Sequence, residues 1–232
     1  MAESTLQFTA SNEKGTVSAR LNRPEDSRAV IVLAHGAGAN MLHQHMQSIT
    51  SALEHQGLAT LRFNFPYMEA GGKRTDSKSV CIETISGAVN LANELAGDLP
   101  LFLGGHSFGG RMSSHAVDEG DVSGQTFEQS FKQCRGLIYF SFPLHASKKP
   151  ATKRADHLYS IKLPMLFLSG TRDSLADREL LEDVTHRTPS AELHWLETAD
   201  HGFKILKRSR QSAEDVYQEA ARVAASFVDK HL

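Results

Sequence analysis

Six short apolar runs recur along the chain, and their spacing restricts its fold more than any other feature. They are rich in β-branched and aliphatic residues, and each suits one strand buried on both faces. The six predicted strands are Ala29–Ala34, Leu58–Phe65, Leu99–Gly104, Gly136–Phe142, Pro164–Ser169 and Ala191–Leu196. Helical spacing of the residues between them predicts helices over about residues 42–56, 80–96, 108–118, 177–187 and 211–230. This alternation is typical of an α/β protein with a mostly parallel central sheet and helices on both faces.

Two weaker segments precede the first of these strands. Gln7–Thr9 and Gly15–Leu21 alternate between apolar and polar side chains and end at the turn sequence Asn22–Pro24. This pattern favours an antiparallel hairpin on the edge of the sheet. The polar stretch Glu119–Gln133 is expected to be an insertion or an irregular helix before the fourth strand. Because no repeat or linker divides the chain, residues 1–232 are predicted to form a single domain.

Composition and charge exclude several classes of protein. Hydrophobic residues make up 40% of the chain and charged residues 22%, as in an ordinary globular protein. The 25 Lys and Arg residues against 27 Asp and Glu leave a net charge of -2, so no overall positive field favours nucleic acid or an anionic membrane. No run of 18 apolar residues is present to span a bilayer. Two cysteines outside any CxxC spacing, and an N-terminus unlike a signal peptide, predict a soluble cytoplasmic protein.

The strand that begins at Leu99 continues directly into Gly-His-Ser-Phe-Gly, residues 105–109, and then into a predicted helix. A strand, the pattern Gly-x-Ser-x-Gly and a helix in this order are the context of a nucleophile elbow. The serine of such an elbow has a strained backbone, and the flanking glycines avoid collisions that a Cβ atom would cause. The pattern therefore predicts Ser107 as a nucleophile that projects above the sheet.

A serine nucleophile needs a general base and a carboxylate that orients this base. Asp173 follows the fifth predicted strand and His201 follows the sixth, so both are expected at the same sheet edge as Ser107. The chain order Ser, Asp, His matches the order that this type of elbow uses. Asp177, on the same loop as Asp173, is the reserve candidate for the acid. Asp200 adjoins His201 in the chain and cannot easily hold its ring from behind.

Hydrolysis at Ser107 also needs two N–H donors for the oxyanion. The Phe108 N–H lies in the first turn of the predicted helix, where it has no acceptor within the helix. The turn His35–Gly38, directly after the first predicted strand, is expected to supply the second donor. We assign this donor to Ala37, with Gly38 as the alternative.

These features together resemble the α/β-hydrolase superfamily, and specifically its small lidless members that are similar to dienelactone hydrolases. The resemblance extends from the Ala29 strand to the C-terminal helix. Four further runs resemble a branch of the superfamily that is catalogued as predicted hydrolases and esterases: Asn64–Gly71, Gly109–Met112, Phe142–His145 and Leu168–Asp173. The resemblance implies an α/β-hydrolase fold without a cap domain and a reaction that requires no cofactor or metal.

Two aspects of this resemblance bear on activity. Dienelactone hydrolases typically carry a cysteine nucleophile, whereas this sequence has Ser107, so hydrolysis of an ester or thioester of a small soluble substrate is expected instead. Relatives in the same branch also serve as subunits of larger assemblies. The alternative is therefore a non-catalytic binding or scaffold protein with the hydrolase fold. The sequence leaves open the choice among esterase, thioesterase and peptidase, and also the oligomeric state.

Three other patterns are weak evidence for ligand sites. Gly36–Met41 lacks the third glycine of a dinucleotide-binding turn. Gly105–Met112 has the glycine spacing of a P-loop but lacks the Lys and the Ser or Thr that hold phosphate and magnesium. His43 and His45 are two residues apart on a predicted helix and therefore face different directions, so we expect no shared metal ion.

Three loops at the predicted catalytic edge, residues 66–79, 145–157 and 201–210, contain eleven basic and three acidic residues. The basic residues, named here the basic rim, are Lys73, Arg74, Lys78, Lys148, Lys149, Lys153, Arg154, Lys204, Lys207, Arg208 and Arg210. We expect this rim to attract an anionic substrate, or an acidic partner, toward Ser107. Ordinary solvated loops that happen to be basic are the alternative.

The segment His145–Ser160 is too short for a cap domain, so an open substrate pocket is expected. The predicted pocket walls are Phe65, Tyr67, Phe142, Leu144 and Phe203. A pocket of this kind favours a small ester or thioester over a long-chain lipid.

Overall fold

Eight strands form one sheet in the computed structural model, which describes residues 5–11, 13–122, 131 and 133–232. The strands are β1 (Thr5–Ser11), β2 (Gly15–Asn22), β3 (Val30–Ala34), β4 (Ala59–Phe63), β5 (Leu101–His106), β6 (Cys134–Phe140), β7 (Met165–Gly170) and β8 (Ala191–Leu196). Their order across the sheet is β1-β2-β4-β3-β5-β6-β7-β8. β2 pairs antiparallel with β1 and β4, and all other neighbours are parallel. The predicted mostly parallel sheet with an antiparallel hairpin at its edge is confirmed.

Helices connect the parallel strands and cover both faces of the sheet. Those within the described residues include α1 (Gln44–His55), α2 (Pro66–Glu69), α3 (Lys78–Ala96), α4 (Phe108–Val122), a 3₁₀ helix (Lys153–Ser160), α5 (Arg178–His186) and α6 (Val216–Lys230). The long helices lie where the apolar spacing predicts them. The short α2 and the 3₁₀ helix are not predicted, because neither is long enough to show a helical period of apolar residues.

The stretch Glu119–Gln133, predicted as an insertion or irregular helix, begins as the last part of α4, which continues to Val122. Residues 123–130 and 132 lie outside the described residues. Across the described parts of the chain, none of the helices combines the length and the apolar character needed to cross a membrane.

β3 illustrates how the sheet is buried on two sides. All five of its residues are buried, and successive side chains point to opposite faces. Val30 and Val32 belong to the apolar cluster that includes α3, α4 and α5, whereas Ile31 and Leu33 belong to the cluster that includes α1 and α6. The continuous apolar run in the sequence is therefore explained by helices on both faces.

The last strand departs from this pattern. Five of the six residues of β8 are only partly buried, and Leu196 alone is fully buried. The prediction that Ala191–Leu196 is covered on both faces is therefore wrong. Since β8 lies at the edge of the sheet and pairs only with β7, α5 and α6 cover it incompletely. Its polar side chains bind to these helices, as when Lys230 donates to Glu192 at 2.6 Å.

The loops that follow the parallel strands meet at one edge of the sheet. The loops after β3, β5, β7 and β8 carry Ala37, Ser107, Asp173 and His201, in that order. Because the carboxyl ends of parallel strands lie side by side, the topology brings these four segments to one edge.

Candidate active site

Ser107 lies at the tight turn between β5 and α4, with a φ angle of 52° in the left-handed region. A Cβ atom added to Gly105 would lie 2.3 Å from the Ala34 carbonyl oxygen, and one added to Gly109 would lie 2.4 Å from the same atom. Glycine at both positions therefore allows β3 to approach the turn while the serine holds its strained conformation. The Ser107 N–H donates to the Phe140 carbonyl at 3.1 Å, which fixes the turn to β6.

A chain of hydrogen bonds joins Ser107, His201 and Asp173. The Ser107 Oγ atom lies 2.7 Å from His201 Nε2, and His201 Nδ1 lies 2.8 Å from Asp173 Oδ2. The Asp173 side chain is 0% exposed, and its second oxygen accepts the Leu175 N–H at 2.8 Å. A carboxylate is only an acceptor, so Nδ1 carries the imidazole proton and Nε2 can accept the proton of serine. The structure thus brings together the three side chains that the sequence proposes.

The two other acids considered from the sequence have different partners. Asp177 is the N-cap of α5 and accepts the Leu180 N–H at 3.2 Å. Asp200 Oδ1 accepts the N–H groups of Gly202 and Lys204, both at 2.9 Å. Asp200 therefore stabilises the turn that carries His201, and neither acid replaces Asp173.

His106 is hydrogen-bonded to the backbone of the turn that carries His201. Its Nε2 lies 3.0 Å from the His201 carbonyl oxygen. Because a carbonyl only accepts, His106 is protonated on Nε2, and burial holds its pKa well below the usual value so that the ring stays neutral. A Cβ atom at Gly36 would lie 2.8 Å from His106 Nδ1, so this close packing requires glycine. The elbow pattern predicts no role for His106, because its first variable position accepts any residue.

His35 fixes the turn that follows β3. The Phe65 N–H donates to His35 Nε2 at 3.0 Å, so the proton of the ring is on Nδ1, which lies 2.8 Å from the Gly36 carbonyl. Burial lowers the pKa of His35 to about 4, consistent with this neutral form. One imidazole therefore joins the turn after β3 to the end of β4.

The predicted oxyanion donors lie on two elements beside Ser107. Phe108 is the first residue of α4, where its N–H has no acceptor within the helix. Ala37 lies in the turn held by His35, and the Ala39 N–H donates to the Gly36 carbonyl at 3.2 Å to close this turn. The positive end of the α4 dipole also favours negative charge at this position.

Tyr67 orients the Ala37 peptide group. Its hydroxyl donates to the Ala37 carbonyl oxygen at 2.8 Å, and its own backbone N–H donates to Asp76 Oδ2 at 2.8 Å. Burial raises the pKa of this phenol, so it remains a hydrogen-bond donor. Tyr67 therefore holds the turn that carries the predicted donor Ala37, and it does not form a pocket wall.

The other predicted pocket walls are also interior. Phe65, Phe142 and Phe203 are at most 2% exposed, so the prediction that these three side chains line an open pocket is wrong. Leu144, also buried, does line a cavity beside α4. Phe65 packs against its aromatic neighbours, with its ring 5.0 Å from His35 and 5.7 Å from Phe108. Phe203 belongs to the core on the α1 and α6 side. The sequence places these aromatic residues near the carboxyl edge of the sheet. It does not show that their rings pack on one another in the interior instead of facing a pocket.

A second serine–histidine contact occurs on α4. The Ser114 Oγ atom lies 2.8 Å from His157 Nε2, and the His157 ring stacks at 3.7 Å on His115. Ser114 is fully buried, and its hydroxyl donates to the Arg111 carbonyl at 2.8 Å. This pair lacks an accessible hydroxyl and is not a candidate nucleophile. No group of His, Cys, Asp or Glu suited to hold a metal ion occurs in the ranges that the structure describes.

Two members of the basic rim are already paired. The Arg210 side chain is 2% exposed and pairs with Glu219 of α6, so its assignment to an exposed rim is wrong. It also donates to the Glu197 carbonyl at 2.6 Å. Lys78 is exposed but pairs with Glu119. The remaining members are half-buried Arg154 and the exposed residues Lys73, Arg74, Lys148, Lys149, Lys153, Lys204, Lys207 and Arg208.

Comparison with known proteins identifies the family. A family model described as an alpha/beta hydrolase domain matches residues 27–229. The chain belongs to this α/β-hydrolase family. As expected for a lidless member, this α/β-hydrolase has no separate cap domain within its described residues.

Solved structures with the same fold include a dienelactone hydrolase and two esterases. The dienelactone hydrolase, from Anabaena variabilis, is 17% identical with a TM-score of 0.72, covering 100% of this chain and 98% of its own. An esterase domain from Rhodothermus marinus is 18% identical with a TM-score of 0.70, covering 100% and 99%. An esterase from Pyrococcus furiosus is 18% identical with a TM-score of 0.70, covering 99% and 93%. At these identities the likeness shows the fold of the α/β-hydrolase.

Proposed function

We propose that this α/β-hydrolase is a serine hydrolase of the carboxylesterase type, which cleaves an ester or thioester of a small molecule. The observation that carries the proposal is the hydrogen-bonded series Ser107, His201 and Asp173, with distances of 2.7 Å and 2.8 Å. A serine hydroxyl is a weak nucleophile unless a base accepts its proton. His201 is in the position to do so, and Asp173 stabilises the imidazolium that forms.

The reaction proceeds in two stages. Ser107 Oγ attacks the acyl carbon while His201 Nε2 takes its proton, and the Phe108 and Ala37 N–H groups stabilise the oxyanion. The tetrahedral intermediate then collapses, His201 protonates the departing alkoxide or thiolate, and an acyl-serine remains. Water deprotonated by His201 attacks this ester, which releases the acid and restores Ser107. The atoms balance without a cofactor or a metal ion.

The fold neighbours support the ester class as substrate. They include esterases and a dienelactone hydrolase, and the serine at position 107 favours esters over dienelactones in this α/β-hydrolase. Both cysteines, Cys81 and Cys134, are free and buried, which suits the reducing cytoplasm, where we propose that the enzyme acts. Fractionation of cells that express it natively tests the location, and recovery outside the cytoplasm contradicts it.

Labelling with a fluorophosphonate probe tests the proposed function. We expect covalent labelling at Ser107, located by mass mapping, and its complete loss in Ser107→Ala and His201→Ala. Ser114→Ala is the matched control, because it removes a buried serine of α4, the helix that follows Ser107, and this serine also contacts a histidine. This control is expected to keep its labelling.

Circular dichroism of each variant separates loss of activation from loss of folding. Wild-type protein that is folded but stays unlabelled would contradict the serine-hydrolase proposal and favour the non-catalytic scaffold. Labelling that persists in Ser107→Ala would assign the nucleophile to another residue.

A further inference from the structure

A basic cavity of about 370 Å³ lies between α4 and the segment that follows β6. Its charged lining consists of Arg111, Lys149, Lys153 and Arg154, and its lining residues include no Asp or Glu. His115 also lines the cavity, but burial lowers its pKa to about 4, so it adds no charge at neutral pH. The cavity volume is within the usual range for small-molecule sites. Four cations therefore face one open cavity whose lining includes no carboxylate.

The Arg111 side chain faces this cavity with one buried donor unbonded within the described residues. It is half-buried, and its Nε atom is buried without a hydrogen-bond acceptor among the described residues. Burial and the nearby Arg154 guanidinium lower the pKa of Arg111. Arg154 donates to the Pro143 carbonyl at 3.5 Å. Since burial of a charge without a partner is costly, the unbonded Arg111 Nε atom beside a second guanidinium group favours an anion in this cavity.

Neighbouring groups do not supply that negative charge. Cys81 is a titratable neighbour of Arg111. Burial raises the pKa of its thiol to about 12, so it carries no negative charge at neutral pH. Asp76 accepts the Tyr67 N–H at 2.8 Å. Glu119 pairs with Lys78. Among the residues that the structure describes, the cavity lining supplies no anion of its own.

The cavity is connected to the candidate active site through backbone. Arg111 lies one helical turn after Ser107, and its N–H donates to the Ser107 carbonyl at 3.1 Å. His145, another lining residue, donates its N–H to the Leu175 carbonyl at 2.9 Å. Leu175 in turn donates to Asp173 at 2.8 Å. A ligand in the cavity therefore lies against α4 and against His145, which is itself bonded to the loop that carries Asp173.

We propose that this cavity binds the phosphate group of a phosphorylated ester or thioester substrate whose acyl carbon reaches Ser107. The proposal rests on the proposed hydrolase function and names the substrate class for that site. Guanidinium groups bind phosphate through paired N–H donors, and Lys149 and Lys153 add point charges. A phosphate dianion balances this lining better than a single carboxylate, because four cations face the volume.

Calorimetric titration with inorganic phosphate tests the binding site without depending on catalysis. The titration uses the Ser107→Ala protein at constant ionic strength, with chloride as the competing ion. We expect saturable binding that weakens at least tenfold when Arg111→Gln is added. Lys207→Gln is the matched control, since it removes an exposed rim charge outside the cavity lining, and it should bind phosphate like the parent.

Kinetics with a matched pair of esters tests whether the phosphate belongs to the substrate. The pair differs only in a terminal phosphate or hydroxyl group. We expect wild-type kcat/KM to be at least tenfold higher for the phosphorylated ester, and this ratio to fall toward one in Arg111→Gln. If Arg111→Gln does not fold, Arg154→Gln serves the same purpose, because its guanidinium faces the same volume.

If Arg111→Gln leaves the phosphate affinity unchanged, the proposed phosphate site is wrong. It is also wrong if the parent protein binds no phosphate. Binding that depends on Arg111 together with an ester ratio of one assigns the cavity to free phosphate and overturns the substrate class. Fluorophosphonate labelling depends neither on the phosphate titration nor on the kinetics with the paired esters. A protein that binds phosphate through Arg111 but is never labelled therefore contradicts the proposed hydrolase function and leaves the anion site intact.

Discussion

Single side chains position the candidate oxyanion site, and Tyr67 is the one whose contribution can be measured most directly. Its hydroxyl holds the Ala37 carbonyl at 2.8 Å, which fixes the peptide group shared with the Gly38 N–H, the alternative donor. The position of the turn that carries Ala37 therefore depends on a contact from another segment of the chain. His35 holds the same turn from β4 through a neutral ring. The turn is therefore fixed from two sides by buried groups.

Tyr67→Phe removes the phenolic donor and leaves the aromatic packing. Loss of a direct oxyanion donor typically costs about 100-fold to 1,000-fold in kcat, and we expect a smaller loss of about tenfold here because the donor is only misaligned. KM should change little. Steady-state kinetics on a chromogenic acetate ester checks this split. Tyr159→Phe, at an exposed tyrosine, is the control, and an unchanged kcat in Tyr67→Phe would contradict the assigned role.

At the scale of elements, the connection from β5 to α4 depends on glycine. The elbow allows β3 to lie against it only because Gly105 and Gly109 have no side chains. The loop from β8 to α6 is fixed differently, by the buried pair of Arg210 and Glu219. The glycines let the Ser107 turn pack closely against β3. The Arg210–Glu219 ion pair fixes the loop that also carries His201.

Gly109→Ala tests the close approach. The added Cβ atom would lie 2.4 Å from the Ala34 carbonyl oxygen and 2.5 Å from that of His35. Backbone atoms cannot move away cheaply, so we expect a loss of about 1 to 3 kcal/mol in the free energy of unfolding. Urea denaturation measures this loss. Gly38→Ala is the control, since its Cβ would meet nothing within 4 Å, and equal stability of the two variants would exclude the steric account.

At the scale of the whole molecule, several histidines are buried in the neutral form. Burial lowers the pKa of His35 and His45 to about 4 and holds that of His106 well below its usual value. The unfolded chain, with histidine pKa values near 6.5, therefore binds more protons than the native state on acidification. Stability must then fall as the pH decreases from about 6.5 toward 4, and it is fully retained above this window.

Urea denaturation at pH 7.0 and at about pH 5.5 measures the loss of stability caused by the buried histidines. Both pH values lie above the range in which most carboxylates titrate, so carboxylates contribute little to the difference. Each of the three deeply buried histidines is expected to contribute a loss of about 1 kcal/mol. His186→Gln, at an exposed histidine, should leave the difference between the two pH values unchanged. Equal stability at both pH values would show that these rings are not held neutral.

The order and approximate positions of the strands and long helices, and the chain order of the candidate triad, could be predicted because they depend on local chemistry. Buried parallel strands read as continuous apolar runs, as in β3. An elbow needs glycine on both sides of Ser107, and parallel strands end at a common edge, so Asp173 and His201 could be placed there. β8 was assigned the wrong burial because its position at the sheet edge is set by strand order and not by its own sequence.

The sequence by itself therefore determined the class of sheet, the elbow and the pairing of Ser107 with a later aspartate and histidine. Only the tertiary structure decided that Tyr67 holds the oxyanion turn and that Arg210 is internal. It also decided that Arg111 and Arg154 face one cavity without a carboxylate. The physical reason is distance along the chain, because these contacts join segments that are far apart in the sequence. Local composition does not show which charged groups and hydroxyls come together once the strands are arranged in the sheet.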